Sequence, residues 1–242
     1  RKFLSFRGGY HGDTLATMTV CDPDEGMHAH FAGVMPRQHI ADLPRDDGGE
    51  AALDALLTQH TDIAAILVEP LVQGAGGMLF HDAEVLRRLR RLADAHGVLL
   101  IFDEIFTGFG RTGEMFAMEH AGVTPDIVTL SKALTGGTSP LSAAIARRAV
   151  FDAFWSDDPT HALMHGPTYM AHALGCAAAN ASLDLFEQGG WREDVARIER
   201  GLRAGLSPCR DLPGVRDVRV KGAIGVVELE QAPNIRDLTQ RF

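Results

Sequence analysis

Two residues set the chemistry this chain can do. Asp103 ends the apolar run VLLIF at 98–102, and Lys132 follows DIVTL at 126–130, inside the string SKALTGG. Each run reads as a buried strand that passes straight into polar, glycine-rich chain. Open α/β sheets bind ligands outside the carboxyl ends of their strands. A carboxylate there is partly shielded from water. An amine there becomes a nucleophile when it is desolvated or flanked by positive charge. Together the two can hold one cofactor from opposite ends. Taken singly, each also has a plain reading, Asp103 as the cap of the next turn and Lys132 as a surface lysine at a helix start. Glu104 follows Asp103, and strand alternation points the two side chains apart, so they do not form a carboxylate dyad.

Further candidates stand near that pair in type if not in position. A pyridoxal ring needs an acid at its ring nitrogen, a lysine at its aldehyde carbon and donors for its phosphate. Thr168, with Gly166 and Pro167 in HGPTY, offers a hydroxyl and free backbone N–H groups before a helix, for phosphate or simply as a cap. Tyr10 and His11 sit among Gly8, Gly9 and Gly12, where backbone can approach a ligand closely and an aromatic ring can stack. An ordinary apolar anchor reads equally well there. Arg111 either clamps a substrate carboxylate or pairs with Glu104 or Glu114. Glu69 ends the run IAAILVE ahead of Pro70 and is expected to hydrogen-bond or ion-pair on the same sheet rim. The histidines His28, His30 and His39, and separately His161 and His165, cluster loosely without metal-site spacing, so solvated loop histidines and no metal are expected. There is no GxSxG nucleophile elbow and no phosphate-loop lysine.

The elements that would position these residues alternate strand and helix. Strands are expected at 3–7, 63–69, 98–102, within 123–130 and at 141–146. Helices are expected from about Asp13 or Thr14, then at 49–60, 82–96, 147–154, 170–188 and 191–206. Residues 21–47, rich in Asp, Pro, Gly and His, read as a surface excursion, and 161–169 as irregular. Strands at 215–220 and 224–230 read as the start of a smaller domain. This is an α/β pattern with a largely parallel sheet covered on both faces. The net charge of −9, from 23 basic and 32 acidic residues, argues against nucleic acid or an anionic membrane as partner. The basic string RRLRR at 87–91 fits one face of an amphipathic helix. No run reaches membrane-spanning length. Cys21, Cys176 and Cys209 have no metal-like spacing and suggest thiols in a reducing, cytoplasmic compartment. The chain opens on RKFLSFRGGYHGD and stops at RDLTQRF, which reads as an internal piece of a longer protein.

As a set, DEIFTGFGRTG, VEPLVQGAGG and SKALTGG resemble the class III, or omega, aminotransferases, which use pyridoxal 5'-phosphate. The likeness runs along nearly all 242 residues. It implies the fold-type I, aspartate-aminotransferase-like architecture. Residues 1–207 would be the cofactor-binding large domain without its N-terminal part, and 208–242 the start of an α/β small domain. It implies Lys132 as the Schiff-base lysine, Asp103 as the partner of the pyridine nitrogen and Tyr10 against the ring and substrate. Thr168 and Pro167 would meet the phosphate across a homodimer interface, with Arg111 and Gly166 on the substrate side. Within the family, YHGDTLATMTVCDP, KALTGGTSPLSAAI, HGPTYMAHALGCAAANASL and VRDVRVKGAIGVVELE resemble members that move the amino group of S-adenosylmethionine to 8-amino-7-oxononanoate. The product is 7,8-diaminononanoate, in biotin synthesis. The alternatives are an omega-aminotransferase acting on ornithine, 4-aminobutyrate or a similar amine, and a non-catalytic dimer-forming fragment. The chain departs from the family pattern at Ser131, at Phe106, which is bulky for its place after DEI, and at Ala171 and His172, where a Gly-Asn pair is common. The family's N-terminal Gly-Ser phosphate turn and C-terminal carboxylate-binding arginine are not found in these residues.

Overall fold

The computed structural model describes residues 1–24, 30, 31, 33–232 and 239. In chain order the elements are β1 (Lys2–Phe6), α1 (Leu15–Met18), β2 (His39–Ala41), α2 (Asp47–Gln59), β3 (Ile63–Val68), β4 (Val72–Gln73), β5 (Leu79–Phe80) and α3 (Ala83–His96). Then follow β6 (Leu99–Asp103), β7 (Ile127–Leu130), β8 (Ala143–Ala146), α4 (Arg148–Asp152), α5 (Ala173–Glu187), α6 (Trp191–Leu206), β9 (Val215–Lys221) and β10 (Ile224–Leu229).

Six strands make the central sheet in the order β2-β1-β3-β6-β7-β8. The first five run parallel, and β8 closes the edge antiparallel to β7. The near-continuous apolar sequences of β3 and β6 follow from burial on both faces. Ile66, Leu100 and Phe102 are fully buried, and Val85, Leu86, Leu89 and Ala93 of α3 and Leu53 and Leu57 of α2 belong to the same core. Asp46 starts α2 by accepting the Gly49 N–H at 2.8 Å. Gly97 ends α3 in the left-handed conformation at φ 62°, the usual stop for a helix. The basic string on α3 is bound internally: Arg88 and Arg91 hold Glu50, and Arg90 holds Asp126. Among the described residues no helix is long and apolar enough to cross a membrane.

The expected elements appear within a few residues of their places, with two differences. The excursion at 21–47 contains β2, a three-residue edge strand paired with β1 from His39 to Ala41. So short a strand shows no period in the sequence, and its pairing supplies what the local pattern lacks. The long helix starts at Ala173 rather than near 170, because Ala171 takes a left-handed φ of 56° that helical chain cannot hold. The β9–β10 hairpin forms its own two-stranded sheet. It leans on the main body through Ile224, which joins the core, and through Ala223 N–H to the Arg111 carbonyl at 2.9 Å. Arg219 adds hydrogen bonds to the carbonyls of Gly77 and Met78.

Candidate active site

Because the five strands run parallel, their carboxyl ends share one rim, and the candidate residues gather there. A cleft of about 460 Å³ is lined by Tyr10, His11 and Gly12 after β1, Glu69 after β3 and Gly74, Ala75 and Met78 of the β4–β5 connection. Asp103, Ile105 and Phe106 after β6 and Lys132 after β7 complete it.

Asp103 is buried at the end of β6. Its Oδ2 lies 2.8 Å from His11 Nδ1, while Oδ1 accepts the Ile105 N–H at 3.2 Å and the Thr129 hydroxyl at 3.3 Å. Glu104 points the other way, as strand alternation requires. Fully buried, it accepts the Thr107 hydroxyl and the Ala117 and Met118 N–H groups at 2.7–3.0 Å. It therefore ties down the loop that leads away from the site. Burial pushes its carboxyl above the usual range, against the pull of those donors.

Lys132 opens a 3₁₀ turn, Lys132–Thr135, with φ at 47°. A non-glycine residue held there costs about 1–3 kcal/mol and persists only where its surroundings fix it. Here buried Leu134 and Thr135 follow immediately, the Thr135 hydroxyl bonds the Ser139 carbonyl at 2.6 Å, and Leu134 packs with Leu130 and Ala179 of α5. The strain aims the amine into the cleft, 5.6 Å from the centre of the Phe106 ring.

The GGYHG and VQGAGG strings meet backbone to backbone. A side chain on Gly76 would begin 1.9 Å from the Gly8 carbonyl oxygen, so only glycine fits. Glu69 pins both strings, taking the Tyr10 N–H at 2.9 Å and the Gly74 N–H at 2.6 Å. Its burial raises the carboxyl's pKa, partly offset by His11 and those two amides. Cys21 supports the same loop from behind, its sulfur receiving the His11 N–H at 3.1 Å. The Tyr10 hydroxyl donates to Asp13 at 2.7 Å, and that bond, with some burial, lifts its pKa to about 12.

The expected residues do not all meet. Tyr10, Asp103 and Lys132 line the cleft. Gly166, Pro167 and Thr168 are exposed on the irregular chain before α5 and line no part of it. Arg111 is also exposed and outside the lining. Neither carboxylate weighed as its partner engages it: Glu104 is occupied as described, and Glu114 pairs with Arg192 at 2.9 Å. The string GFGRTG, 108–113, spells the glycine spacing of a dinucleotide fingerprint, but it lies in turns of an irregular loop and opens no α-helix. Sequence reasoning named His11 among its glycines and Phe106 as bulky for its place but gave neither a defined role in the wall, and it did not single out Met78. His11 carried a signal, since it is flanked by the glycines that bring its loop to the rim. Of the loop histidines, His30, His161 and His165 are exposed, and His28 lies outside the described residues.

The family model for class III aminotransferases matches residues 1–242. The chain is 50 % identical over 239 residues to the adenosylmethionine-8-amino-7-oxononanoate aminotransferase of Mycobacterium leprae, covering 97 % of this chain and 55 % of that protein. To the enzyme of the same name from Corynebacterium glutamicum it is 47 % identical over 245 residues, covering 99 % and 58 %. Among solved structures, the Methanocaldococcus jannaschii protein of that name superposes with a TM-score of 0.88 at 30 % identity, over 94 % of this chain and 53 % of that one. The ornithine aminotransferase of Toxoplasma gondii superposes at 0.81 and 29 % identity, over 95 % and 51 %. The chain thus spans little more than half the length of the curated relatives it matches. With its mostly parallel sheet and a lysine and a buried carboxylate on one rim, the chain belongs to the class III aminotransferases, a fold-type I, pyridoxal-phosphate-dependent family.

Proposed function

We propose that this chain forms the core of an enzyme that transfers the amino group of S-adenosylmethionine to 8-amino-7-oxononanoate, giving 7,8-diaminononanoate. The observation that carries the reaction type is the convergence of Asp103 and Lys132 on one cleft. The names borne by the relatives at 47–50 % identity support the substrate pair.

The donor set fits pyridoxal phosphate. A buried carboxylate suits a protonated ring nitrogen, an amine suits the aldehyde, and Tyr10 supplies an aromatic face beside them. Bound there, the cofactor provides an aldehyde to take up the amino group and a ring to accept the electron pair left on the substrate carbon. Asp103, held by His11, Thr129 and its own turn, fixes the ring's protonated edge. Lys132 Nζ would move the proton off the donor's nitrogen-bearing carbon and, in the second half-reaction, deliver one to the acceptor's carbon as it gains nitrogen. Phe106 and Met78 give the cleft wall an apolar lining.

Thr168, Pro167 and Gly166 are proposed to serve the cleft of a second copy. The segment that carries them exposes Trp155, Met164, Tyr169 and Leu174, with Met164 92 % and Tyr169 83 % exposed. Apolar surface of this extent marks an interaction face, and a homodimer would cover it. Arg111 is proposed to meet substrate from the chain that follows β6, and residues 208–242 to begin the small domain. A cytoplasmic location accords with three free thiols.

A donor screen on the purified protein tests the assignment, with 8-amino-7-oxononanoate as acceptor and 7,8-diaminononanoate followed by mass spectrometry. S-Adenosylmethionine is expected to support turnover. Failure with it, beside efficient use of ornithine or 4-aminobutyrate, would transfer the assignment to another omega-aminotransferase. The remaining alternative, a dimer-forming scaffold without catalysis, requires no turnover with any donor.

A further inference from the structure

Away from the cleft, at the opposite, amino-terminal edge of the sheet, three metal-binding side chains converge. His39 is the first residue of β2, His60 ends α2 and Asp62 directly precedes β3. One donor atom from each lies within 4.8 Å of the others. His39 Nε2 is buried and has no hydrogen-bond partner, although it stands 3.4 Å from Asp62 Oδ1. A buried ring nitrogen left unsatisfied costs free energy, and a bound ion would recover it. Zinc binds imidazole and carboxylate at about 2.0–2.2 Å, which places two ligands of a tetrahedral ion about 3.3 Å apart. The His39–Asp62 separation already has that value. The His60 ring sits beside that of His39, centroids 4.3 Å apart and tilted by 40°. One of its ring nitrogens lies within 4.8 Å of the donor atoms of the other two residues.

We propose that His39, His60 and Asp62 bind a divalent transition-metal ion of the zinc type, with water as the fourth ligand. Two imidazoles and one carboxylate are the donor set such ions select over magnesium or calcium. Of the three, His60 lines a surface cleft of about 350 Å³, beside Arg1 and Thr61. Lys2 is the opposing feature, its amine 3.4 Å from Asp62 Oδ2. It is half-exposed and can swing into solvent, so it weakens the site without closing it. The bound ion would staple the start of edge strand β2 to the α2–β3 turn, far from the chemistry at the other rim.

Cobalt(II) titration of the metal-stripped 242-residue chain, read by visible absorbance and followed by zinc competition, tests the site. One equivalent should bind with the absorption of a low-symmetry four-coordinate ion, and zinc should displace it. His39→Gln and His60→Gln should each weaken binding at least tenfold and abolish the rise in Tm that zinc gives. His96→Gln, which alters a neighbour already paired with Asp54 at 2.7 Å, should leave both readings unchanged. Circular dichroism of each variant separates lost binding from lost fold. No cobalt band, or equal affinity in the two histidine variants and the parent chain, overturns the proposal.

Discussion

His11 Nδ1 meets Asp103 Oδ2 at 2.8 Å, and the two side chains are only 3 % and 7 % exposed. The contact joins the loop after β1 to the end of β6, so the glycine-rich string at the start of the chain positions the carboxylate proposed to hold the cofactor ring. A hydrogen bond to a charged group contributes about 1.5–3 kcal/mol. His11→Phe should therefore weaken pyridoxal phosphate binding by about tenfold or more in a fluorescence titration, while His11→Asn, which keeps a donor, should recover part of the loss. Equal affinity in all three proteins would show that Asp103 needs no such support.

Glu69 links stability to pH. Burial raises its carboxyl above the 4.5 of a free glutamate. A group whose folded pKa is raised holds its proton more tightly in the folded state. Its contribution is full below the unfolded pKa and is lost as pH rises through the folded one. Glu69→Gln removes that dependence. Urea unfolding across the range from about pH 4.5 to neutrality should show the variant gaining on the parent as pH rises. A constant offset between the two would mean that Glu69 titrates normally.

Ala171 holds φ at 56° just before α5, a conformation that favours glycine. An L-residue in this region costs about 1–2 kcal/mol, and glycine escapes that penalty while losing more chain entropy on folding. Ala171→Gly should raise unfolding stability by about 0.5–1 kcal/mol, seen as a higher urea midpoint at unchanged slope. A lower midpoint would show that the alanine methyl makes a contact worth more than the strain.

Much of this site was legible in the sequence because its anchors lie at strand ends. The apolar runs before Asp103 and Lys132 marked buried strands, and parallel strands must bring their ends to one rim. Arg111 was harder, since nothing local distinguishes a cleft-facing arginine from one on an exposed loop. Phe106 contributes through a long-range contact with Lys132 that no spacing encodes. The His39–His60–Asp62 cluster was invisible for the same reason: it depends on β2 pairing with β1, and a three-residue strand leaves no period to read. Loop histidines nearer in sequence, such as His30, take no part in it.

Lys132→Ala should leave the melting transition nearly unchanged, because the exposed side chain packs only loosely against Phe106 and alanine inherits the same left-handed backbone. A large destabilisation would make Lys132 a packing residue rather than a reactive one.

The central claim, that Lys132 is the amine that holds the cofactor, is tested most directly by borohydride reduction of the chain after incubation with pyridoxal phosphate, followed by peptide mass mapping. The chain has only three lysines, Lys2, Lys132 and Lys221, and peptide mapping separates Lys132 from the other two and from the terminal α-amine. The account predicts one pyridoxyl group, on the peptide that contains Lys132. Labelling confined to Lys2 or Lys221, or no label at all, would contradict it.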